Sequence, residues 1–330
     1  MPRDAVEIAR VASAITDVLD ETRYATETVL KLRADAYREF GFSLFYVGSF
    51  DAALDAQRRS ETTARACSSG GTEVGRALLL RALVLRQTDA VDEALAITDE
   101  AEKTFRAAQD RKLEAVAIST RAYLLSKAGD FKAAIGLTRR VLDELVDHVS
   151  PHDAAVLAMN LGVYSRELGD FPMALREFQT AAFAFEELGV VTEAVRMEWN
   201  IAVLLKACGD LANAETKLRR VISDFERLGM HGTAAVATVD LAETKLLQQQ
   251  PGEVANLCRA AMRQYETSGI GYSSRALAAL ALLREAADGS TVPLQLVRSV
   301  RRYLEDLRSQ PTLEFVYLPE PLSNQSHNLG

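Results

Sequence analysis

Three polar residues share one spacing. Asn160, Asn200 and Asp240 lie 40 residues apart, each inside an otherwise apolar segment. An asparagine side chain carries both a donor and an acceptor, so it can pair with a peptide amide. A ladder of asparagines can hold an extended backbone without reading its side chains. Asp240 would change the preference at its end, because an ionised carboxylate only accepts hydrogen bonds. Leu80 and Thr120 occupy the two preceding copies of this position. Trp199, the only tryptophan, sits beside Asn200, and tryptophan is over-represented among binding anchors. Arg86, Arg166 and Lys206 follow Leu80, Asn160 and Asn200 by six residues, and Arg76 and Arg196 precede Leu80 and Asn200 by four. Such cations can meet an anionic group, for example a peptide's terminal carboxylate. The same residues admit a second reading: each Asn bonds to a neighbouring helix, Trp199 packs in the core, and the charges are a solvated face.

No spacing specifies a reaction. The sequence contains no phosphate-binding glycine loop, no zinc-protease helix and no nucleophile elbow. His148 and His152 are four apart, but Pro151 lies between them and would end a helix. They are read as loop histidines. Cys67, Cys208 and Cys258 are far apart and are read as small buried hydrophobes. The expectation is a non-enzyme with no catalytic residue, no metal and no cofactor.

Composition narrows the partner. The 330 residues carry 38 Lys plus Arg against 46 Asp plus Glu, a formal net charge of −8. That argues against a general nucleic-acid binder, which needs a basic face to displace counterions. No apolar stretch reaches the length of a membrane span, and Met1 to Glu21 has no signal-peptide core. An odd cysteine count without pairing motifs fits a reducing cytoplasm.

The elements that must position these residues are hairpins of helices. In Leu168-Gly169-Asp170-Phe171-Pro172-Met173-Ala174-Leu175, Gly169 can close one helix in the left-handed conformation. Asp170 can cap the next, and Pro172 is tolerated in its first turn. Weaker copies recur. The apolar position falls at Phe50, Val91, Phe131, Phe171, Leu211 and Val254, in steps of about 40 residues with a longer last step. The small residue three places on is Ala53, Ala94, Ala134, Ala174 and Ala214, broken only by Leu257. The turn residue is Gly48, Asp89, Gly129, Gly169, Gly209 and Gly252, and a second turn repeats at Gly189, Gly229 and Gly269. Two periodic turns mean two helices per repeat.

These residues resemble the tetratricopeptide repeat family over about Thr26 to Ser268. In that family a small residue on the first helix packs against the small residue on the second. Here the first-helix position is Gly41, Ala82, Ala122, Gly162, Ala202 and Ala242, and Phe178 fits the second-helix aromatic. The unit is longer than the family's usual one and resembles the arrays of bacterial regulators and peptide receptors. The resemblance implies an all-α, right-handed superhelical solenoid of tandem antiparallel helix hairpins, with first helices lining a concave groove. A capping helix is expected in 1–25, with Ile8, Val11 or Ala12, Ile15 and Leu19 on one face. Six hairpins plus a degenerate seventh are expected in 26–309, and an extended or partly disordered tail in 310–330. The groove would use Asn160, Asn200, Asp240, Trp199, Arg166, Arg196, Lys206, Thr120 and Arg86 to bind a protein or peptide segment. No direct nucleic-acid or membrane partner is expected, and a homo-oligomer is allowed. Two other readings stand beside this scaffold: a sensor or effector module of a bacterial regulatory protein, and a structural oligomerisation module.

Overall fold

A computed structural model describes residues 2–20, 22–67, 70–88, 90–289 and 292–317. Of these residues, 82% are helical, and none is in a strand. The chain divides into two compact units, Met1–Asp170 and Phe171–Gly330.

The first unit holds α1 (Pro2–Asp17), α2 (Thr26–Tyr46), α3 (Phe50–Arg65), α4 (Gly71–Leu85), α5 (Val91–Ala107), α6 (Arg111–Lys127), α7 (Phe131–Glu144) and α8 (Pro151–Glu167). Each helix packs on the next in chain order, and α2 also meets α4. Their starts are capped as the residue types dictate. Asp110 accepts from the Leu113 amide at 3.1 Å, Asp130 from Ala133 at 3.0 Å and Ser150 from Asp153 at 3.1 Å. Pro151 opens α8 rather than ending a helix.

The second unit holds α9 (Phe171–Glu187), α10 (Val191–Ala207), α11 (Leu211–Arg227), α12 (His231–Leu247), α13 (Val254–Ser268), α14 (Ser273–Asp288) and α15 (Leu294–Asp306). Helices α9 to α14 again pack in order, but α15 lies mainly against α12. The fold is therefore all-α, built of tandem antiparallel hairpins.

Burial follows the repeat. Phe105, Leu145, Phe185, Phe225 and Tyr265 are 40 residues apart and all fully buried. Each such large apolar side chain contributes about 1.5–3 kcal/mol by leaving water. Ala94, Ala134, Ala174 and Ala214 form a second buried series, where a small side chain lets helices approach. The first-helix positions Gly41, Ala82, Ala122, Gly162, Ala202 and Ala242 are buried too.

The structure differs from the sequence reading in three places. The buried series continues at Val254, not Leu257, so the repeat keeps its 40-residue step to the end. The matching turn has its positive φ at Gln249 (61°), while Gly252 lies in a 3-10 turn, Pro251–Glu253. Three residues of 3-10 helix delay the start of α13 and mask the register. Second, α1 turns Ala9 and Ser13 inward and leaves Ile8, Val11 and Ile15 exposed. It is held on α2 by Tyr37 Oη donating to Asp17 Oδ2 at 2.5 Å and Arg33 to the Thr16 carbonyl at 3.1 Å. Third, α15 touches α14 but lies mainly against α12, unlike the second helix of a regular hairpin. In the extended segment that follows, Leu313, Phe315 and Tyr317 pack on the core, and Tyr303 Oη donates to the Leu313 carbonyl at 3.0 Å. Asp89, Ser68, Ser69 and residues 318–330 lie outside the described residues.

Candidate binding site

In the first unit, the first helices of successive hairpins line an open trough of about 560 Å³, within the range of ligand-binding clefts. Its floor is apolar: Leu79, Leu80 and Leu83 from α4, Val116 from α6, and Val156 and Leu157 from α8. The repeat explains the alignment. Residues four apart share a helix face, so Arg76, Leu80 and Leu83 on α4 correspond to Val116, Thr120 and Tyr123 on α6. Val156 and Asn160 continue the pattern on α8.

Polar groups border this floor. Arg38 reaches in from α2 but is already paired with Asp35, Glu39 and Glu73. Arg76 shares Glu73 at 3.2 Å. Arg86 lies over the Tyr123 ring, 5.0 Å from its centroid, and Lys127 lies 5.4 Å from the same centroid. Lys112, His148 and Asp153 line the trough at the starts of α6 and α8. Asp153 accepts from Ser150 Oγ at 2.7 Å. Thr120 spends its hydroxyl proton on the Val116 carbonyl at 2.8 Å and can only accept from a ligand. Asn160 is half-buried on the trough wall.

The second unit uses the expected residues differently. Asp240 is fully buried. Its carboxylate accepts from Lys206 Nζ at 2.7 Å, Arg301 Nε at 2.6 Å and Trp199 Nε1 at 2.9 Å. Glu243, one turn on, accepts from Lys206 Nζ at 2.6 Å and Arg298 Nε at 2.7 Å, while Arg301 also meets Glu305 at 2.8 Å. Burial alone would push the Asp240 carboxyl upward. Lys206 and Arg301 outweigh it and hold the group below its ordinary value. Three carboxylates and three cations balance under α15. Trp199 stands edge-on to Phe225 at 5.8 Å.

The nine expected groove residues therefore separate. Arg86, Thr120 and Asn160 line one trough. Trp199, Lys206 and Asp240 form an internal network, a correction to their expected place on a solvent-facing ladder, because α15 covers the face of α12 that carries Asp240. Arg166 pairs with Glu167 at 2.7 Å and Arg196 with Glu193 at 3.5 Å. Asn200 is half-buried on α10. Asn160 and Asn200 belong to different units. Sequence reasoning missed Lys112, Val116, Tyr123 and Val156. Their signal was available on the same face: Val116, Tyr123 and Val156 lie one turn from Thr120 or Asn160, and Lys112 two turns before Thr120. The described residues hold no group of three or more His, Cys, Asp or Glu placed for a metal. None of their helices is long and apolar enough to cross a membrane.

No family model matches the chain, and no curated protein matches it. Solved structures do match in fold. Aspartyl phosphate phosphatase F from Bacillus subtilis superposes with a TM-score of 0.63 at 12% identity, over 92% of this chain and 79% of that one. A signal transduction ATPase with a tetratricopeptide repeat sensor, from Pyrococcus horikoshii, gives 0.64 at 10% identity, over 87% of this chain and 45% of that one. A Rap protein complexed with competence and sporulation factor gives 0.51 at 16% identity, over 81% and 79%. The fold is thus of the tetratricopeptide repeat type.

Proposed function

We propose that this chain is a non-catalytic binding scaffold that takes a peptide, or a segment of another protein, on the first-helix face of Met1–Asp170. One observation carries the reading: an apolar trough crossing α4, α6 and α8, bordered by Arg86, Lys112 and Asn160, which have no hydrogen-bond or ion-pair partner among the described residues. The Rap protein of similar fold, solved with competence and sporulation factor, supports this reading.

A second reading, the sensor part of a regulatory protein, is compatible with the first. It is favoured by the ATPase whose tetratricopeptide repeats are described as its sensor. An oligomerisation role would draw on the exposed Ile8, Val11 and Ile15 of α1.

The test is capture from a native lysate by wild type and by Leu80→Glu, which puts a charge on the trough floor. A partner retained by wild type and lost by a folded Leu80→Glu supports the scaffold. Equal capture by both contradicts it.

A further inference from the structure

We infer that the segment bound in this trough carries an acidic side chain, Asp or Glu, beside a short apolar run, with the acid received by Arg86 where it lies over Tyr123. The inference rests on the scaffold reading and specifies its ligand.

Two cations share one aromatic ring. Arg86 and Lys127 lie 5.0 and 5.4 Å from the Tyr123 centroid. Neither has a carboxylate partner among the described residues, although ion pairs hold Arg38 and Arg76 at the same trough. The ring quadrupole compensates the Arg86 charge only in part. A carboxylate beside Arg86 completes the compensation and can take a forked hydrogen bond from the guanidinium. The chain as a whole is acidic, at −8, so this local excess of positive charge runs against its background.

The trough has direction. Lys112 opens α6, and Tyr123 lies eleven residues later. That separation is about 16 Å along a helix axis, or about five residues of extended peptide. The Lys112 end also holds Asp153 and is mixed in charge. At the Arg86 end the trough lining holds no carboxylate among the described residues. The apolar floor lies between them. Residues at the Lys112 end, including His148 and Asp153, are exposed, and so are Gln87 and Lys127 beyond Tyr123. A bound chain can therefore continue past both ends, which assigns the acid to a side chain and not to a terminus.

The experiment selects binders from a displayed library of random 12-residue peptides on the full chain. The best binder is resynthesised with a fluorophore in three forms: unmodified, C-terminally amidated, and with its acid changed to the amide. Expected binders carry about four or five apolar residues flanked on one side by Asp or Glu. The amidated form should bind within twofold of the unmodified one, and the acid-to-amide form at least tenfold more weakly. Arg86→Gln should weaken the acidic form about tenfold and leave the acid-to-amide form unchanged. Loss caused by amidation would overturn the side-chain assignment in favour of a terminal carboxylate. Indifference to the peptide acid and to Arg86→Gln, with binding still abolished by Leu80→Glu, would sink the inference and leave the scaffold standing. Indifference to Leu80→Glu, or no selected peptide, would sink both.

Discussion

The indole Nε1 of Trp199 donates to Asp240 Oδ2 at 2.9 Å, across 41 residues of sequence. This bond joins α10 to α12 inside a cluster of three carboxylates and three cations. Asp240 is fully buried in this arrangement and Trp199 half-buried, and Arg301 of α15 covers the Asp240 carboxylate.

Removing the Asp240 charge should therefore be costly. Asp240→Asn leaves Lys206 and Arg301 in a poorly hydrated site without their shared counterion. Breaking one side of such a buried network costs about 3–5 kcal/mol. Denaturant unfolding of wild type and variant measures it, and a change below about 1 kcal/mol would show that the cluster relaxes freely.

Overpacking tests the small-residue series. Ala174 and Ala181 are both fully buried, so Ala174→Leu or Ala181→Leu should each cost about 1–3 kcal/mol. An unchanged melting midpoint for either would contradict the register.

The last regular turn offers a stabilising change. Gln249 holds φ at 61°, a conformation that strains a residue with a Cβ by about 1–2 kcal/mol. Glycine removes that strain but is more flexible when unfolded. Gln249→Gly should accordingly gain about 0.5–1 kcal/mol, read as a raised midpoint. A lowered midpoint would mean that the Gln249 side chain contributes more than its backbone strain costs.

These sites mark how far the chain could be read without coordinates. Gly129 and Gly209 announce their turns because glycine favours positive φ, so the hairpins and the 40-residue step were legible. Gln249 adopts the same conformation without the glycine that signals it, and the reading moved to Gly252 instead. Arg86, Thr120 and Asn160 were legible as one surface because repeat position and helix face are local properties. The fate of Asp240 was not, since it depends on α15 turning back across α12, a contact 61 residues away in sequence at Arg301. A clue existed in the sequence of α12, where Ala234 to Val239 is apolar except for Thr238: a segment apolar on nearly all sides must be covered on nearly all sides.

Acid stability has a defined window. Lys245, Gln248 and Arg219 hold the Glu215 carboxyl at about 2, below its ordinary 4.5. The folded state then binds fewer protons than the unfolded one between these values, so stability rises with pH there. The contribution is complete above about pH 4.5 and is lost as pH falls toward 2. Glu215→Gln should flatten that part of the stability–pH curve, measured by urea unfolding at stepped pH. An unchanged slope would show that Glu215 does not titrate with folding.

The central claim is that α4, α6 and α8 present a binding face. The most direct measurement pairs affinity with stability for one partner peptide, using wild type, Asn160→Ala and Leu80→Glu. Asn160→Ala should lose one hydrogen bond, about 0.5–1.5 kcal/mol, or roughly two- to twelvefold in Kd. Leu80→Glu should abolish binding, and both variants should melt close to wild type because their side chains border the trough. Unchanged affinity for both variants, together with a large loss of stability, would show that these side chains serve the stack and that the binding face lies elsewhere.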